Sequence, residues 1–133
     1  MREFDLEIVT PDGVEFSGKA ESVIVRTDDG DVQILAGHVE YMASLGTGKV
    51  KLIADGTERI AAASGGFITV SGGEVKLVAI TFEFSDDIDL SRAKRAKERA
   101  EEQIRNAQND KELVLAKAKL KRAISRISAA SEK

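Results

Sequence analysis

Net charge and glycine content both change at residues 84–93, FSDDIDLSRA, and this change decides the fold. Before Ile88 there are 7 Lys and Arg against 16 Asp and Glu, a net charge of −9, whereas residues 88–133 hold 13 against 7, a net charge of +6. All 11 glycines and the single proline, Pro11, precede Glu74. Because glycine and proline interrupt helices, the sequence predicts a helical segment after residue 88 and a turn-rich segment before it.

The first segment has the period and the turn residues of antiparallel β-structure. Apolar and acidic residues alternate in Phe4–Ile8, as in a strand with one face on a core. Asp55-Gly56 between two apolar runs predicts a tight hairpin, and Ser71-Gly72-Gly73 predicts another. Turns that recur at this spacing are typical of a sandwich or a barrel, so we expect an antiparallel β-sandwich over residues 1–84.

After residue 88 the apolar residues recur at helical spacing in two stripes. A turn-rich stretch, residues 106–110, separates the stripes. We therefore expect an antiparallel two-helix hairpin over residues 89–133, joined to the sandwich by a linker at residues 85–88. The stripes consist of Ala93, Ala96, Ala100, Ile104 and Ala107, and of Leu113, Ala116, Leu120, Ala123 or Ile124, and Ile127.

Each predicted helix has a candidate cap at its start. Asn109, with Glu112 three residues later, forms a capping-box pattern for the second helix, and either Asp87 or Asp89 can cap the first. The first apolar stripe is almost all alanine, so the helices approach closely but bury little apolar area. We expect a hairpin that can open.

Basic side chains converge on this hairpin. Positions whose numbers add to about 218 lie at the same height in the antiparallel pair, which brings residues 95–99 level with residues 119–122. A group of converging guanidinium groups favours a bound anion such as phosphate, because each binds it with paired hydrogen bonds. On spacing alone, however, a solvated basic face is the more typical interpretation of arginines on an alanine-rich helix, and the anion site needs a more specific signal. The four arginines concerned are Arg92, Arg99, Arg122 and Arg126.

The sequence offers no catalytic or metal-binding constellation. It has no cysteine, which removes disulfides, thiolate metal sites and cysteine nucleophiles. Gly46–Lys49 lacks the first glycine and the last Ser or Thr of a phosphate-binding loop, and we interpret it as a hairpin turn. His38, the single histidine, is more typical of a structural hydrogen-bonding group than of a metal ligand. We expect a protein that is not an enzyme and that requires no metal or resident cofactor.

Four short motifs complete the pattern. They are Thr10-Pro11-Asp12-Gly13, Gly30-Asp31-Val32-Gln33-Ile34-Leu35-Ala36-Gly37-His38, Ser64-Gly65-Gly66-Phe67 and Ile88-Asp89-Leu90-Ser91-Arg92-Ala93. With the order of sandwich and hairpin, they make the whole chain resemble the epsilon subunit of bacterial F-type ATP synthase, equivalent to the mitochondrial delta subunit. The last motif fits the Ile/Leu-Asp-x-x-Arg-Ala pattern of family members that bind ATP.

The resemblance implies that ATP is a regulatory ligand of the folded hairpin, with no magnesium required by any residue seen. It implies an adenine site and a phosphate site. The implied residues are Ile88, Asp89 and Ala93 near the adenine, Glu83 as acceptor of its exocyclic amine, and Arg92, Arg99, Arg122 and Arg126 at the phosphates.

The resemblance also implies a non-catalytic rotor subunit that couples gamma to the c-ring. When ATP is scarce, its helices extend along gamma into the alpha/beta ring and inhibit ATP hydrolysis; ATP closes the hairpin. The expected location is peripheral, at the cytoplasmic face of the bacterial plasma membrane and without lipid insertion, since no apolar stretch approaches about 18 residues. The candidate rotor contacts are Asp28, Asp29, Asp31, Leu35 and His38.

Other interpretations remain open at this point. The first is a coupling and inhibitory subunit whose hairpin does not sense ATP. A basic helical module for nucleic acid is a weaker alternative, because the sandwich with its net charge of −9 would repel the polymer and no aromatic residue is interleaved among the arginines. A free-standing hydrolase would need a base, a nucleophile or a metal site that the sequence does not offer.

Overall fold

A computed structural model describes residues 2–132 and contains ten strands and two helices in that range. Lys133, the last residue of the predicted hairpin, and Met1, the first of the predicted sandwich, lie outside it. The elements are β1 Phe4–Thr10, β2 Gly13–Ala20, β3 Ser22–Thr27, β4 Gly30–Leu35, β5 Tyr41–Ser44, β6 Gly48–Ala54, β7 Thr57–Ser64, β8 Phe67–Ser71, β9 Glu74–Val78, β10 Thr81–Phe84, a short 3-10 turn Ser85–Asp87, α1 Leu90–Arg105 and α2 Asp110–Ala130.

The strands form two five-stranded sheets packed face to face. Sheet 1 has the order β2-β1-β9-β8-β5, and sheet 2 has the order β10-β7-β6-β3-β4. Side chains from the inner faces of both sheets fill the core, among them Ile8 and Leu77 of sheet 1 and Ile34 and Leu52 of sheet 2, none of them exposed to solvent. The predicted fold class, a β-sandwich followed by a helical hairpin, is confirmed.

One strand pair departs from the antiparallel pattern. β1 pairs with β9 in parallel, with Asp5 opposite Glu74 and Val9 opposite Val78. The two strands belong to different hairpins, β1–β2 and β8–β9, so no tight turn fixes their relative direction. Local turn chemistry therefore could not predict this pair.

The turns around the sheets test the local predictions. Asp55 and Gly56 join β6 to β7 with φ of 53° and 71°, the left-handed conformation of a two-residue hairpin. The interpretation of Gly46–Lys49 as a hairpin turn is wrong. This segment carries the chain from β5 in sheet 1 to β6 in sheet 2, because the strands on either side pair with different partners.

Both helices begin at side-chain caps. The carboxylate of Asp89, not that of Asp87, accepts a hydrogen bond from the backbone N–H of Arg92 over 3.0 Å. Asn109 Oδ1 accepts from the N–H of Glu112 over 2.9 Å. Each cap satisfies an N–H group that the helix itself leaves without a partner.

The hairpin lies folded against sheet 2. Its second helix contacts β7 and β6, and a small apolar cluster fills the contact. No helix in the described range is long and apolar enough to span a membrane. The cluster consists of Ile60, Ala62, Ile88, Ala93, Ala129 and Ala130, with Leu90 and Ile127 at its margin.

Candidate functional site

A cavity of about 570 Å³ opens where the hairpin meets the sandwich. Its volume lies within the roughly 300–1,000 Å³ range of small-molecule sites. One wall comes from α1 and α2, and the other from β7 and β10 of sheet 2. Thr10, the last residue of β1, and Asp12, in the turn before β2, also line the cavity. The site is thus built only when the hairpin is docked.

Four cationic side chains line the helical wall. Arg99 extends from α1, and Lys119, Arg122 and Arg126 extend from α2. The three residues of α2 are spaced at three and four positions, which puts them on one helix face. Within residues 2–132, Arg99, Lys119 and Arg122 form no ion pair, so most of this positive charge is uncompensated by protein groups. Such a wall favours an anion.

The sandwich wall carries two carboxylates and several hydroxyl groups. Glu83 of β10 accepts a hydrogen bond from Arg126 Nε at 2.9 Å, and their side chains are 35% and 27% exposed. Asp12 is the second carboxylate. The hydroxyls of Thr47 and Ser64 lie 3.1 Å apart and hydrogen-bond to each other. This wall can accept hydrogen bonds from a ligand amine or hydroxyl.

Ser125 lies between Arg122 and Arg126 on α2 and also lines the cavity. The residue is 8% exposed, and its Oγ has no hydrogen-bond partner among the described residues. Such a group carries an unrecovered desolvation cost.

Comparison with known proteins then identifies the family. The beta-sandwich domain of the ATP synthase Delta/Epsilon chain matches residues 3–85, and the long alpha-helix domain of the same chain matches residues 86–131. The chain belongs to this family. It is a Delta/Epsilon-type subunit of ATP synthase, an accessory and not a catalytic subunit, as we expected from the sequence.

Relatives match this family member over its whole length. The ATP synthase epsilon chain of Ruminococcus albus is 42% identical over 134 residues, covering 100% of both chains. That of Bacillus pumilus is 41% identical, covering 99% of this chain and 100% of its own. A chain in the mitochondrial ATP synthase of Euglena gracilis has the same fold, with a TM-score of 0.84 at 20% identity over 97% of this chain and 81% of that one.

The structure brings four of the eight predicted ATP-binding residues of this family member to the cavity. These are Glu83, Arg99, Arg122 and Arg126. The other four lie outside its lining. Ile88 and Ala93 are 4% and 0% exposed in the apolar cluster under the hairpin, Asp89 caps α1, and Arg92 is exposed on the first turn of that helix.

Several residues of the cavity were missed from the sequence, and three polar ones lie on its helical wall. Lys119 and Gln103 lie on the helical wall beside Arg99, and Ser125 lies beside Arg126. The antiparallel pairing of the helices could have predicted Lys119, because positions 99 and 119 add to 218 and therefore lie at the same height in the hairpin. Ser125 follows Arg122 by three positions and so shares its helix face.

The candidate rotor contacts fall at two separate places. Asp28 and Asp29 lie in the turn before β4, and Asp31 is the second residue of that strand, paired to Arg26 Nε at 2.7 Å. Leu35 is the last residue of β4 and His38 follows it by three positions, and a strand of this length spans about 17 Å. The two groups therefore do not form one compact patch.

The His38 end of β4 has the more apolar surface. His38 Nδ1 donates to the carbonyl oxygen of Val39 at 2.8 Å, and its ring meets that of Tyr41 edge-on at 5.5 Å. Leu35, Val39 and Met42, within four positions of His38 in sequence, are 50%, 74% and 71% exposed. Large exposed apolar groups close to one another in sequence make this segment a candidate interaction surface.

Proposed function

We propose that this chain is a central-stalk subunit of ATP synthase that binds ATP in the cavity between hairpin and sandwich and uses it as a regulatory ligand. The bound nucleotide holds the hairpin on the sandwich. Without it, the helices leave the sandwich and inhibit ATP hydrolysis. The observation that carries the proposal is the cationic helical wall of Arg99, Lys119, Arg122 and Arg126 facing Glu83.

The charges of the cavity suit a nucleoside triphosphate. Uncompensated guanidinium groups bind phosphate oxygens with paired hydrogen bonds. Glu83 gives only Oε1 to Arg126, and its Oε2 has no hydrogen-bond partner within residues 2–132. That oxygen can accept from the exocyclic amine of adenine. Guanine presents a carbonyl oxygen at the same ring position, and two acceptors repel each other, so this arrangement favours ATP over GTP.

The hairpin is suited to a ligand-controlled equilibrium. Its buried contacts are largely alanines, Ala93 and Ala100 of α1 and Ala116 and Ala123 of α2, which bury little area per residue. ATP touches both the helices and the sandwich in the cavity, so it binds only the docked state. A ligand that binds one of two states shifts the population toward that state by its differential affinity.

The undocked helices supply the inhibitory contact in this proposal. Residues 88–133 carry a net charge of +6, which suits attachment to acidic surfaces of the catalytic alpha/beta ring. The sandwich stays on the rotor, between gamma and the c-ring. The related folds come from complexes described as OSCP/F1/c-ring and central stalk/c-ring, which supports this placement. The subunit is then peripheral, at the cytoplasmic face of the plasma membrane.

Rotor attachment is best supported at the His38 end of β4. Leu35, Val39 and Met42 offer exposed apolar area there, and apolar area is what a stable subunit contact buries. The acidic turn at Asp28, Asp29 and Asp31 is a second contact, suited to basic groups on the rotor.

The proposal is tested with ATP synthase reconstituted with this subunit, by following ATP hydrolysis against ATP concentration. With the unchanged chain, hydrolysis is inhibited at low ATP and the inhibition is relieved as ATP rises. Arg122→Ala shifts the relief to about tenfold higher ATP, because a charge-assisted contact is lost. Arg105→Ala, an exposed arginine of α1 outside the cavity, removes the same charge from the basic hairpin and is the control: its inhibition should be relieved at the same ATP concentration as in the unchanged chain.

Two results would overturn parts of the proposal. Inhibition that does not change with ATP would leave a coupling and inhibitory subunit that senses nothing. A chain that never inhibits hydrolysis at any ATP concentration would remove the inhibitory role as well.

A further inference from the structure

We infer that Lys119 binds the terminal phosphate of the nucleotide and sets the preference of the site for ATP over ADP. This inference rests on the proposed function, since it assigns a role within the same cavity. Lys119 lies outside every motif that relates the chain to its family, and it follows from the geometry of α2.

The cations of α2 form a row along the cavity. At about 1.5 Å of rise per residue, Arg122 lies about 6 Å along the helix axis from Arg126, and Lys119 lies about 4.5 Å beyond Arg122. All three line the same cavity. The row therefore extends about 10 Å from Arg126 to Lys119, toward the connection between the helices.

The two ends of this row differ in their partners. At one end Arg126 is held by Glu83, the carboxylate suited to an adenine amine. At the other end Lys119 has Arg99 and Gln103 beside it on the cavity wall, and Lys119 and Arg99 form no ion pair within residues 2–132. A nucleotide with its base at Glu83 thus directs its phosphates toward Lys119.

The Lys119 end is also open to solvent. Lys119 is exposed, and with Arg99 and Gln103 it also lines a second groove of about 500 Å³, whose other lining residues include Asn106, Glu102 and Glu112. The terminal phosphate of a nucleotide carries the most charge and stays partly hydrated at such an opening. An ammonium group suits it, because lysine acts on phosphate as a compact, mobile point charge.

This position makes Lys119 a specificity residue. ADP occupies the base site and the arginines but ends one phosphate short of ATP, so it leaves Lys119 without a contact. ATP reaches it. A subunit that senses the ratio of ATP to ADP must bind the two nucleotides with different affinities. That difference requires a protein group that contacts ATP and not ADP.

The test is a calorimetric titration of the full chain with ATP and with ADP. Lys119→Ala is expected to weaken ATP binding about tenfold and to change ADP binding less than about twofold, which brings the two affinities together. Lys119→Arg, which keeps the charge, restores the preference. Lys117→Ala, an exposed lysine of α2 outside both cavities, is the control and leaves both affinities unchanged.

Equal weakening of ATP and ADP by Lys119→Ala would overturn the inference, as would an unchanged ratio of the two affinities. Either result leaves the proposed ATP site standing, because the unchanged chain still binds ATP. If the unchanged chain binds neither nucleotide, the proposed function fails and this inference fails with it.

Discussion

Arg126 of α2 donates a hydrogen bond from Nε to Oε1 of Glu83 on β10, over 2.9 Å, and so joins the hairpin to the sandwich inside the cavity. Glu83 is the proposed acceptor for the base of a nucleotide, and Arg126 is the first of the cations that extend from it toward the phosphates. The docked hairpin thus has a polar contact at the place where we propose that the ligand binds.

The first prediction concerns the strength of this pair. Both side chains are about a third exposed or less, so their interaction is modest, on the order of 0.5–1 kcal/mol. Arg126→Ala and Glu83→Ala should each lower the free energy of unfolding by about that amount. The double variant should lose less than the sum, because the two changes remove one interaction. Urea unfolding of the four chains measures the coupling. If the loss in the double variant equalled the sum of the two single losses, the Arg126–Glu83 pair would contribute nothing to the free energy of unfolding.

Local chemistry predicted the parts of the fold that short stretches decide. The caps at Asp89 and Asn109 and the hairpin at Asp55-Gly56 each depend on two to four neighbouring residues, and their types are sufficient to predict them. The parallel pairing of β1 with β9 and the crossing between sheets at Gly46–Lys49 depend on contacts distant in sequence. No local pattern encodes those contacts.

The second prediction concerns Gly66, in the Ser64-Gly65-Gly66-Phe67 motif. Its φ is +94°, and a Cβ there would lie 1.8 Å from the carbonyl oxygen of Val78. Gly66→Ala should therefore destabilise the sandwich by about 3 kcal/mol or more, since the backbone of β9 must move. Gly56→Ala is the control. It has φ of +71° but open space around it, and should cost about 1 kcal/mol.

Circular dichroism during urea unfolding compares these two variants. Similar losses of stability in Gly66→Ala and Gly56→Ala would show that the close approach to Val78 is not what requires glycine.

The third prediction concerns the unpartnered hydroxyl of Ser125. Ser125→Ala removes a buried polar group that has no partner within residues 2–132, so the free energy of unfolding should stay unchanged or rise by up to about 1 kcal/mol. Ser128→Ala on the same helix controls for the higher helix propensity of alanine. The gain should be larger at position 125. A loss greater than about 1 kcal/mol there would mean that the hydroxyl has a partner.

The fourth prediction concerns pH. Glu132 forms an ion pair with Lys49 of β6, and this hydrogen bond lowers the pKa of its carboxyl group. A lowered pKa means that the pair stabilises docking above the ordinary value of about 4.3 and stops doing so as the pH falls through the lower value of the docked state. The end of α2 should loosen in that acid range.

NMR spectra of Ala129 and Ala130 over pH 3–7, a range chosen around that ordinary value of about 4.3, measure the effect. Glu132→Gln should abolish the titration step, and Glu98→Gln, an exposed acid of α1, should leave it in place. If the Glu132→Gln chain showed the same titration step at Ala129 and Ala130, the loosening of α2 would be caused by another titratable group.

The candidate site was predictable only in part. Helical spacing was sufficient to gather Arg99, Arg122 and Arg126 on the hairpin, because the period of a helix is fixed. How the hairpin docks on sheet 2 decides the rest. Docking buries Ile88 and Ala93 against Ile60 and exposes Lys119 to the cavity, and no residue pattern within the helices contains that information.

The measurement that tests the central claim most directly is a calorimetric titration of the purified chain with ATP and with GTP, beside Arg126→Ala and Arg105→Ala. Saturable binding of ATP, weaker binding of GTP, and a loss of affinity in Arg126→Ala but not in Arg105→Ala are the predicted result. An absence of binding up to millimolar ATP would contradict it, and the cationic wall of the cavity would then be a surface for protein partners alone.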